Sequence, residues 1–103
     1  MRISLKHPES FAAVFESVTK NKLYRPVTGI TTDSRETKTG DLYIALEGEN
    51  FDGHNFIDQV DKSGAVAALV SKNFDGLGIQ QIKVTNPLSE IGKIAKEWRL
   101  RFD

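Results

Sequence analysis

The sequence of 103 residues contains no cysteine, which excludes disulfide bonds, thiolate nucleophiles and cysteine-ligated zinc. It also has no excess of one charge, because 14 lysines and arginines are balanced by 14 aspartates and glutamates. Proteins that bind nucleic acids usually carry a basic excess, so we expect no nucleic-acid partner. At this length a single domain with its own hydrophobic core is feasible.

Long apolar segments are missing as well. No run approaches the roughly 20 apolar residues of a membrane-spanning helix, and the N-terminal segment MRISLKHPES lacks the apolar core of a secretion signal. Because cysteine is absent too, these features indicate a cytoplasmic protein without a membrane partner.

The familiar catalytic and cofactor-binding motifs are also absent. There is no Gly-x-x-x-x-Gly-Lys-[Ser/Thr] phosphate loop, no Gly-x-Gly-x-x-Gly dinucleotide motif and no serine in a nucleophile elbow. Of the two histidines, His7 lies in the N-terminal turn, so a catalytic triad would have to be built on His54. We therefore predict that this chain alone contributes no catalytic residue and binds no cofactor.

Three segments have the spacing of amphipathic helices. The first begins at Pro8 and ends near Lys20, the second covers 54–63, and the third begins at Asn86-Pro87, where Asn is a good N-cap and Pro suits the first turn. Their expected core-facing residues are Phe11, Val14, Phe15 and Val18, then Phe56, Ile57 and Val60, and finally Leu88, Ile91, Ala95, Trp98 and Phe102.

Strands are predicted where β-branched or uninterrupted apolar residues occur, at 25–32, 42–46, 65–70 and 79–84. Pro26 and Gly29 suggest that the first strand lies at a sheet edge or beside a bulge, whereas the second is apolar on both faces and should be interior. The alternation of strands and helices predicts an α/β fold, with a small mixed sheet flanked by helices. Residues 1–103 form one domain, and we expect a further domain after it.

The tripeptide Asp33-Ser34-Arg35 follows directly on the first predicted strand. A serine hydroxyl and backbone N–H groups at a strand end can bind a phosphate or a base edge, and arginine presents a planar fork of donors to phosphate. A surface turn in which Arg35 is solvated, or pairs with Asp41, explains the same residues. The residues alone leave both interpretations open.

The loop Glu49-Asn50-Phe51 combines an acceptor, an amide and an aromatic ring. Such a trio suits a flat base with an imide edge, such as uracil. A solvent-exposed loop with one buried phenylalanine is the competing interpretation, and the residues do not decide between them.

Asp33, Asp41, Asp52 and His54 have side chains that could bind a hard metal ion. Their spacing matches no known ligand loop. Each aspartate has a simpler role in a turn, with Asp41 capping the turn at Gly40 and Asp52-Gly53 forming a turn dipeptide. We therefore predict no metal site.

Four short motifs, in this order, resemble the N-terminal domain of the Mur ligases, the ATP-dependent amide ligases that build the peptidoglycan stem peptide. They are Asp33-Ser34-Arg35, GDLYIALEG at 40–48, DGHNFI at 52–57 and GAVA at 64–67. The resemblance covers residues 28–102. Within the family, GENFDGH and the helix ending in Glu97-Trp98-Arg99 are most similar to the member that adds D-alanyl-D-alanine.

The resemblance implies a UDP-binding domain for UDP-N-acetylmuramoyl-peptide, within a three-domain ligase of cell-wall synthesis. ATP and magnesium would be bound by a central domain of the parent chain, which would also be the partner of this domain. The ligase that adds the third stem residue, diaminopimelate or lysine, is the closest alternative. A free-standing, non-catalytic interaction module with the same fold is the other.

The resemblance also implies roles for individual residues. Contacts with uridine or its phosphates are expected from Thr32, Ser34 and Arg35. Contacts with uracil and ribose are expected from Glu49, Asn50 and Phe51, while the loop itself would be shaped by Asp33, Asp52, Gly53 and His54. Two residues depart from the family pattern, Tyr43 in place of Phe and Val60 in place of Ala, and both are expected to affect packing away from the site.

Overall fold

A computed structural model describes residues 2–102. Within this range the chain forms five strands, three α-helices and two short 3-10 turns. The strands are β1 (Arg2–Ser4), β2 (Gly29–Thr31), β3 (Asp41–Ile44), β4 (Ala67–Val70) and β5 (Gln80–Lys83). The helices are α1 (Pro8–Thr19), α2 (Ile57–Lys62) and α3 (Pro87–Phe102), and the 3-10 turns cover Ser34–Glu36 and Gly53–Phe56. No helix in this part of the chain has the length and apolar character needed to cross a membrane.

The five strands form one mixed sheet in the order β1-β2-β3-β4-β5. β1 is antiparallel to β2, and every other neighbouring pair is parallel. The predicted small mixed sheet is thus confirmed, and β3 is an interior strand with every residue buried, as expected. The edge position predicted for β2 is wrong, because the unpredicted strand β1 covers it, and Pro26 lies outside the strand.

Helices cover both faces of the sheet. One core combines α1 and α3 with β3, β4 and β5, with Phe15, Leu42 and Ile94 among its buried residues. The other core packs α2 through Ile57 and Val60 against the opposite face of β3 and β4. The sheet is therefore the middle of three layers, and its alternating side chains contribute to both cores.

Four residues predicted to face the core do not lie in it: Phe56, Leu88, Ala95 and Phe102. Phe56 is only half-buried, because it lies in the 3-10 turn before α2 and stacks against Phe51 instead of entering the core. In α3 the buried residues are Pro87 and Ile94, whereas Leu88 is 63% exposed, Phe102 is 51% exposed and Ala95 is exposed as well. The helical spacing predicts this face only in part. Ile91 and Trp98 pack partly buried against the core, but the residue that is buried beside them, Ile94, is not in the predicted set.

The carboxylate of Asp41 is completely buried at the start of β3. It accepts two hydrogen bonds from the Arg2 guanidinium, at 2.8 and 2.7 Å, and a third from the Lys38 backbone N–H at 2.9 Å. The predicted turn-capping role of Asp41 is confirmed, but the suggested pairing of Arg35 with Asp41 is wrong. This ion pair passes over Gly29, where a Cβ atom would collide with both charged groups.

A glycine directly after a helix predicts a left-handed backbone, and Gly64, which follows the predicted helix 54–63, confirms this expectation. Gly64 has φ +100, and a Cβ atom there would lie 2.9 Å from the Thr39 Cα. The backbone N–H of Gly40 donates to the Gly64 carbonyl at 2.9 Å. Glycine at position 64 therefore permits both the left-handed backbone and the close approach of the segment that leads into β3.

Candidate functional site: a pocket at the carboxyl edge of the sheet

The loops that follow β2, β3, β4 and β5 leave the sheet at one edge, because these four strands are parallel. In open α/β sheets this carboxyl edge is where ligands usually bind. A pocket of about 600 Å³ opens there. We call it the edge pocket, and it is lined by Thr32, Asp33, Ser34, Arg35, Phe51, Phe56 and Gln59.

One wall of the edge pocket is the turn after β2. The Asp33 carboxylate accepts a hydrogen bond from the Arg35 backbone N–H at 2.8 Å, and the Arg35 guanidinium lies 3.2 Å from both carboxylate oxygens. These interactions lower the pKa of Asp33. The Ser34 hydroxyl makes no hydrogen bond within residues 2–102 and is available to a ligand.

The opposite wall is the loop after β3, which is closed by backbone hydrogen bonds. Gly48 N–H donates to the Phe51 carbonyl, and Gly53 N–H donates to the Leu46 carbonyl, each at 2.7 Å. The buried Tyr43 hydroxyl donates to the Gly53 carbonyl at 2.9 Å, and burial raises the pKa of this phenol to about 12. The expectation that Tyr43 lies away from the site is therefore wrong, because its hydroxyl fixes the end of this loop.

Behind the loop, His54 is buried and held on both ring nitrogens. Its Nδ1 lies 2.7 Å from Asp52 Oδ1, and its Nε2 accepts the Ser71 backbone N–H at 3.0 Å. Because a backbone N–H can only donate, the ring proton is on Nδ1 and is directed at Asp52. Lys72 Nζ contacts the other oxygen of Asp52 at 3.0 Å. His54 thus joins the loop after β3 to the end of β4.

Asp52, His54 and Ser71 have the residue types of a catalytic triad, and Ser71 Oγ lies 3.4 Å from His54 Nε2. Two contacts oppose this function. The Nε2 lone pair already accepts the Ser71 N–H, so it is unavailable as a general base. The Ser71 hydroxyl instead donates to Glu47 Oε1 at 2.8 Å. The arrangement fits a support for the loop better than a nucleophile.

Possible metal ligands also meet behind the loop, since ligand atoms of Glu47, Asp52 and His54 lie within 4.8 Å of one another. A divalent cation would have to displace the proton on His54 Nδ1 and the ammonium of Lys72, which already compensates the Asp52 charge. The contacts therefore favour a hydrogen-bonded ion-pair cluster over a metal centre.

The Asp52 carboxylate should stabilise the fold in a pH-dependent way. Hydrogen bonds from His54 and Lys72 lower its pKa to about 2, so its contribution is complete above the unfolded pKa near 3.9 and is lost as the pH falls towards 2. The difference in unfolding free energy between wild type and Asp52→Asn, measured by urea denaturation, should therefore shrink between pH 5 and pH 2. The control is Asn73→Ala at an exposed position, for which the difference in unfolding free energy from wild type should not depend on pH. If the difference between wild type and Asp52→Asn is also constant from pH 5 to pH 2, the role assigned to Asp52 is wrong.

The structure brings four of the six proposed UDP-contacting residues into the edge pocket: Thr32, Ser34, Arg35 and Phe51. Glu49 and Asn50 are exposed and lie outside its lining, so their contact with a ligand remains a prediction. Among the residues expected to shape the loop, Asp33 forms part of the pocket wall, while Asp52, Gly53 and His54 are held beneath the loop.

Sequence reasoning missed Phe56, Gln59 and Ser71 as site residues. The helical spacing of Phe56 predicts a core position, and Gln59 belongs to no motif. The position of Ser71 offered a signal, because it directly follows β4 just as the Asp33 turn follows β2.

Two further cavities lie outside the edge pocket. One of about 350 Å³ is at the ends of β3, β4 and β5 and includes Glu47, Ser71 and Asn86. The other, about 390 Å³, is an apolar groove between α3 and the β1–β2 edge, with Ile3, Ile30 and Trp98 among its lining residues. Neither brings the sequence-predicted site residues together as the edge pocket does.

Comparison with known proteins places these features in a family. Residues 26–98 match the profile described as "Mur ligase family, catalytic domain". A UDP-N-acetylmuramoyl-tripeptide–D-alanyl-D-alanine ligase of Synechocystis is 42% identical over 78 residues, which are 74% of this chain and 17% of the relative. A UDP-N-acetylmuramoyl-L-alanyl-D-glutamate–2,6-diaminopimelate ligase of Aquifex aeolicus is 37% identical over 76 residues, 74% of this chain and 16% of the relative.

Solved structures give the same result. A UDP-N-acetylmuramoylalanyl-D-glutamyl-2,6-diaminopimelate–D-alanyl-D-alanyl ligase from Acinetobacter baumannii superposes with a TM-score of 0.76 at 30% identity, covering 87% of this chain and 21% of that one. A MurF ligase from Thermotoga maritima in complex with ADP gives a TM-score of 0.66 at 28% identity, covering 72% and 17%. The chain thus spans about a fifth or less of the length of these relatives.

Proposed function

Because this chain belongs to the Mur ligase family, we propose that it binds the UDP moiety of UDP-N-acetylmuramoyl-peptide. The parent enzyme would be the cytoplasmic ligase that adds D-alanyl-D-alanine to the peptidoglycan stem peptide. The observation that carries the proposal is the edge pocket, in which the Asp33-Ser34-Arg35 turn faces the Phe51 loop across about 600 Å³.

The groups in the pocket suit a nucleoside diphosphate. The Ser34 hydroxyl can donate to or accept from the ligand, and Phe51 presents a half-exposed ring to a base or ribose. Arg35 directs Nε and one Nη at Asp33, so donors on its other Nη remain for a phosphate oxygen. The turn can therefore contact a phosphate without losing the hydrogen bonds that shape it.

The remaining steps of ligation would belong to other parts of the parent chain. We propose that ATP and magnesium bind in a central domain, and that this domain alone is catalytically inactive. We propose that no residue of this chain binds either group. The ligase that adds the third stem residue remains an alternative, since a diaminopimelate ligase is 37% identical over a similar span.

The first test is a titration of this chain with UDP in which binding is monitored by NMR. Addition of UDP or UDP-N-acetylmuramoyl-tripeptide should shift the backbone amide signals of residues 32–35 and 49–54 and leave those of α1 in place. No shift at millimolar UDP would count against the proposal and favour a free-standing interaction module. The reading frame after codon 103 gives an independent test, because a ligase should encode a Gly-Lys-Thr phosphate loop there.

Replacing Ser34 with alanine should weaken UDP binding about fivefold, because one hydrogen bond is worth about 1 kcal/mol. Isothermal titration calorimetry or the NMR titration would measure the change. The matched control is Ser89→Ala, since Ser89 is exposed on α3 and lies outside the edge pocket. Equal effects of the two substitutions would contradict the assignment of Ser34.

A further inference from the structure

The tetrapeptide Asn-Phe-Asp-Gly occurs twice in the sequence, at 50–53 and again at 73–76. These are also the two places where a glycine directly follows an aspartate. An aspartate before glycine isomerises readily, because glycine has no Cβ atom to hinder attack by its own backbone nitrogen. The two copies share these four residues, so a difference in their reactivity is expected to come from the fold.

The isomerisation proceeds through a cyclic imide. The glycine nitrogen attacks Cγ of the neutral aspartic carboxyl and forms an N–Cγ bond, and the carboxyl OH leaves with the amide hydrogen as water. Water then opens the five-membered ring. Cleavage of the new N–Cγ bond restores aspartate, whereas cleavage of the original peptide bond leaves the chain linked through the side chain, as isoaspartate. One water is lost and one is regained, so the mass is unchanged.

In the first copy the fold holds both reacting groups. Gly53 is buried, and its backbone N–H donates to the Leu46 carbonyl at 2.7 Å. One carboxylate oxygen of Asp52 accepts the His54 backbone N–H at 2.9 Å, and the other lies 3.0 Å from Lys72 Nζ. These contacts lower the pKa of Asp52 to about 2, so its carboxyl is rarely in the neutral form that loses water.

The second copy lies in the loop between β4 and β5, where the same groups are open. Asp75 and Gly76 are exposed, and within residues 2–102 neither the Asp75 carboxylate nor the Gly76 N–H makes a hydrogen bond or ion pair. A Cβ atom at Gly76 would meet no heavy atom within 4 Å outside its chain neighbours. Exposed loop segments without such anchors change conformation easily, so the nitrogen can reach the carboxyl.

The residue before the open dipeptide is anchored. The Gln81 side-chain amide accepts the Phe74 backbone N–H and donates to the Phe74 carbonyl, each at 2.8 Å. The Phe74 ring lies 6.0 Å from the His54 ring, centroid to centroid. An isoaspartyl linkage adds one methylene group to the main chain directly after Phe74. Isomerisation would therefore disturb the hydrogen bonds between Phe74 and Gln81 first.

We propose that Asp75 is a site of spontaneous isomerisation to isoaspartate, and that the fold protects the identical tetrapeptide at 50–53 from the same reaction. This modification site is independent of UDP binding. It lies in the loop between β4 and β5, outside the lining of the edge pocket.

The experiment follows isoaspartate formation in the folded chain during incubation at mildly acidic pH. Trypsin places the two copies in separate peptides, 39–62 and 73–83, and chromatography separates each isoaspartyl form from its aspartyl form of equal mass. Electron-transfer fragmentation identifies the isomerised residue. We expect isoaspartate at position 75 to form at least about tenfold faster than at position 52, because Asp52-Gly53 must break hydrogen bonds before it can react.

A parallel incubation in urea separates the effect of the fold from that of the local sequence. Once the chain is unfolded, the two positions should react at similar rates. Equal rates in the folded chain would overturn the inference, and so would a tenfold difference that persists in urea. Absence of isoaspartate at position 75 in a folded chain, under conditions in which the unfolded chain forms it, would overturn it as well.

Asp75→Glu is the control variant. Glutamate would have to close a six-membered ring, which forms far more slowly, and a change at this exposed position should leave the fold intact. Its 73–83 peptide should therefore show no second form of equal mass, while the slow reaction at position 52 continues as in wild type. A second form in this variant would show that the modified residue is not Asp75.

Discussion

Replacing Asp41 with alanine should lower the free energy of unfolding by about 3 kcal/mol, the usual cost of removing one partner of a buried ion pair. The Asp41 side chain is fully buried and the Arg2 side chain is only 16% exposed, so neither group is well solvated in the folded protein. The substitution leaves the Arg2 guanidinium without its two hydrogen bonds and the Lys38 N–H without its acceptor. β1 would lose its side-chain link to β3.

Urea denaturation followed by circular dichroism measures this change. Asp75→Ala is the matched control, because Asp75 is an exposed loop residue, and it should change the free energy of unfolding by less than about 0.5 kcal/mol. If Asp41→Ala is as stable as Asp75→Ala, the ion pair does not contribute to folding stability.

Replacing His54 with alanine should cost about 2 to 3 kcal/mol. The substitution removes a buried ring and leaves the Ser71 N–H and the Asp52 carboxylate without their shared partner. Because the ring joins the loop after β3 to the end of β4, the amide signals of residues 47–53 should broaden or shift in the variant. His7→Ala provides the same substitution at an exposed position and should be nearly neutral.

A second comparison tests whether the hydrogen bonds or only the volume of His54 matter. His54→Phe fills the space but offers no partner to Ser71 or Asp52, so it should remain at least 1 kcal/mol less stable than wild type. Full recovery of stability by phenylalanine would show that the ring acts through packing alone.

Local sequence signals predicted the parts of this fold that depend on neighbouring residues. Asn86 accepts the Ser89 N–H at 3.1 Å as the N-cap of α3, and Gly64 adopts the left-handed backbone expected after α2. The apolar residues on both faces of β3 predict an interior strand, as the structure shows. Each of these features follows from a few adjacent residues.

Features that depend on distant partners were not predictable in the same way. β1 has only three residues, and its register is set by β2, more than 20 residues further along the chain. The sequence predicts a local turn role for Asp41, which the structure confirms, but it does not predict the hydrogen bonds with Arg2, 39 residues away. Of the residues predicted to face the core from α3, only Ile91 and Trp98 pack against it, because the helix pattern contains no information on which part of that face a neighbour covers.

In the candidate site, too, some residues are predictable from local motifs and others only from tertiary contacts. Thr32, Ser34, Arg35 and Phe51 belong to motifs, and parallel strands bring those motifs to one edge of the sheet. Gln59 reaches the edge pocket only because α2 packs against the turn Ser34–Glu36, and that contact leaves no signature in the sequence. The loop contacts of Tyr43 and Ser71 are likewise tertiary.

The position of Trp98 determines how ligand binding can be observed. It is the only tryptophan in the sequence, and it lies in the apolar groove beside Phe102, with their ring centroids 4.5 Å apart. It is absent from the lining of the edge pocket. Tryptophan fluorescence therefore reports on contacts made at α3, whereas a fluorescence test of the proposed UDP binding needs a probe placed in the loop that carries Phe51.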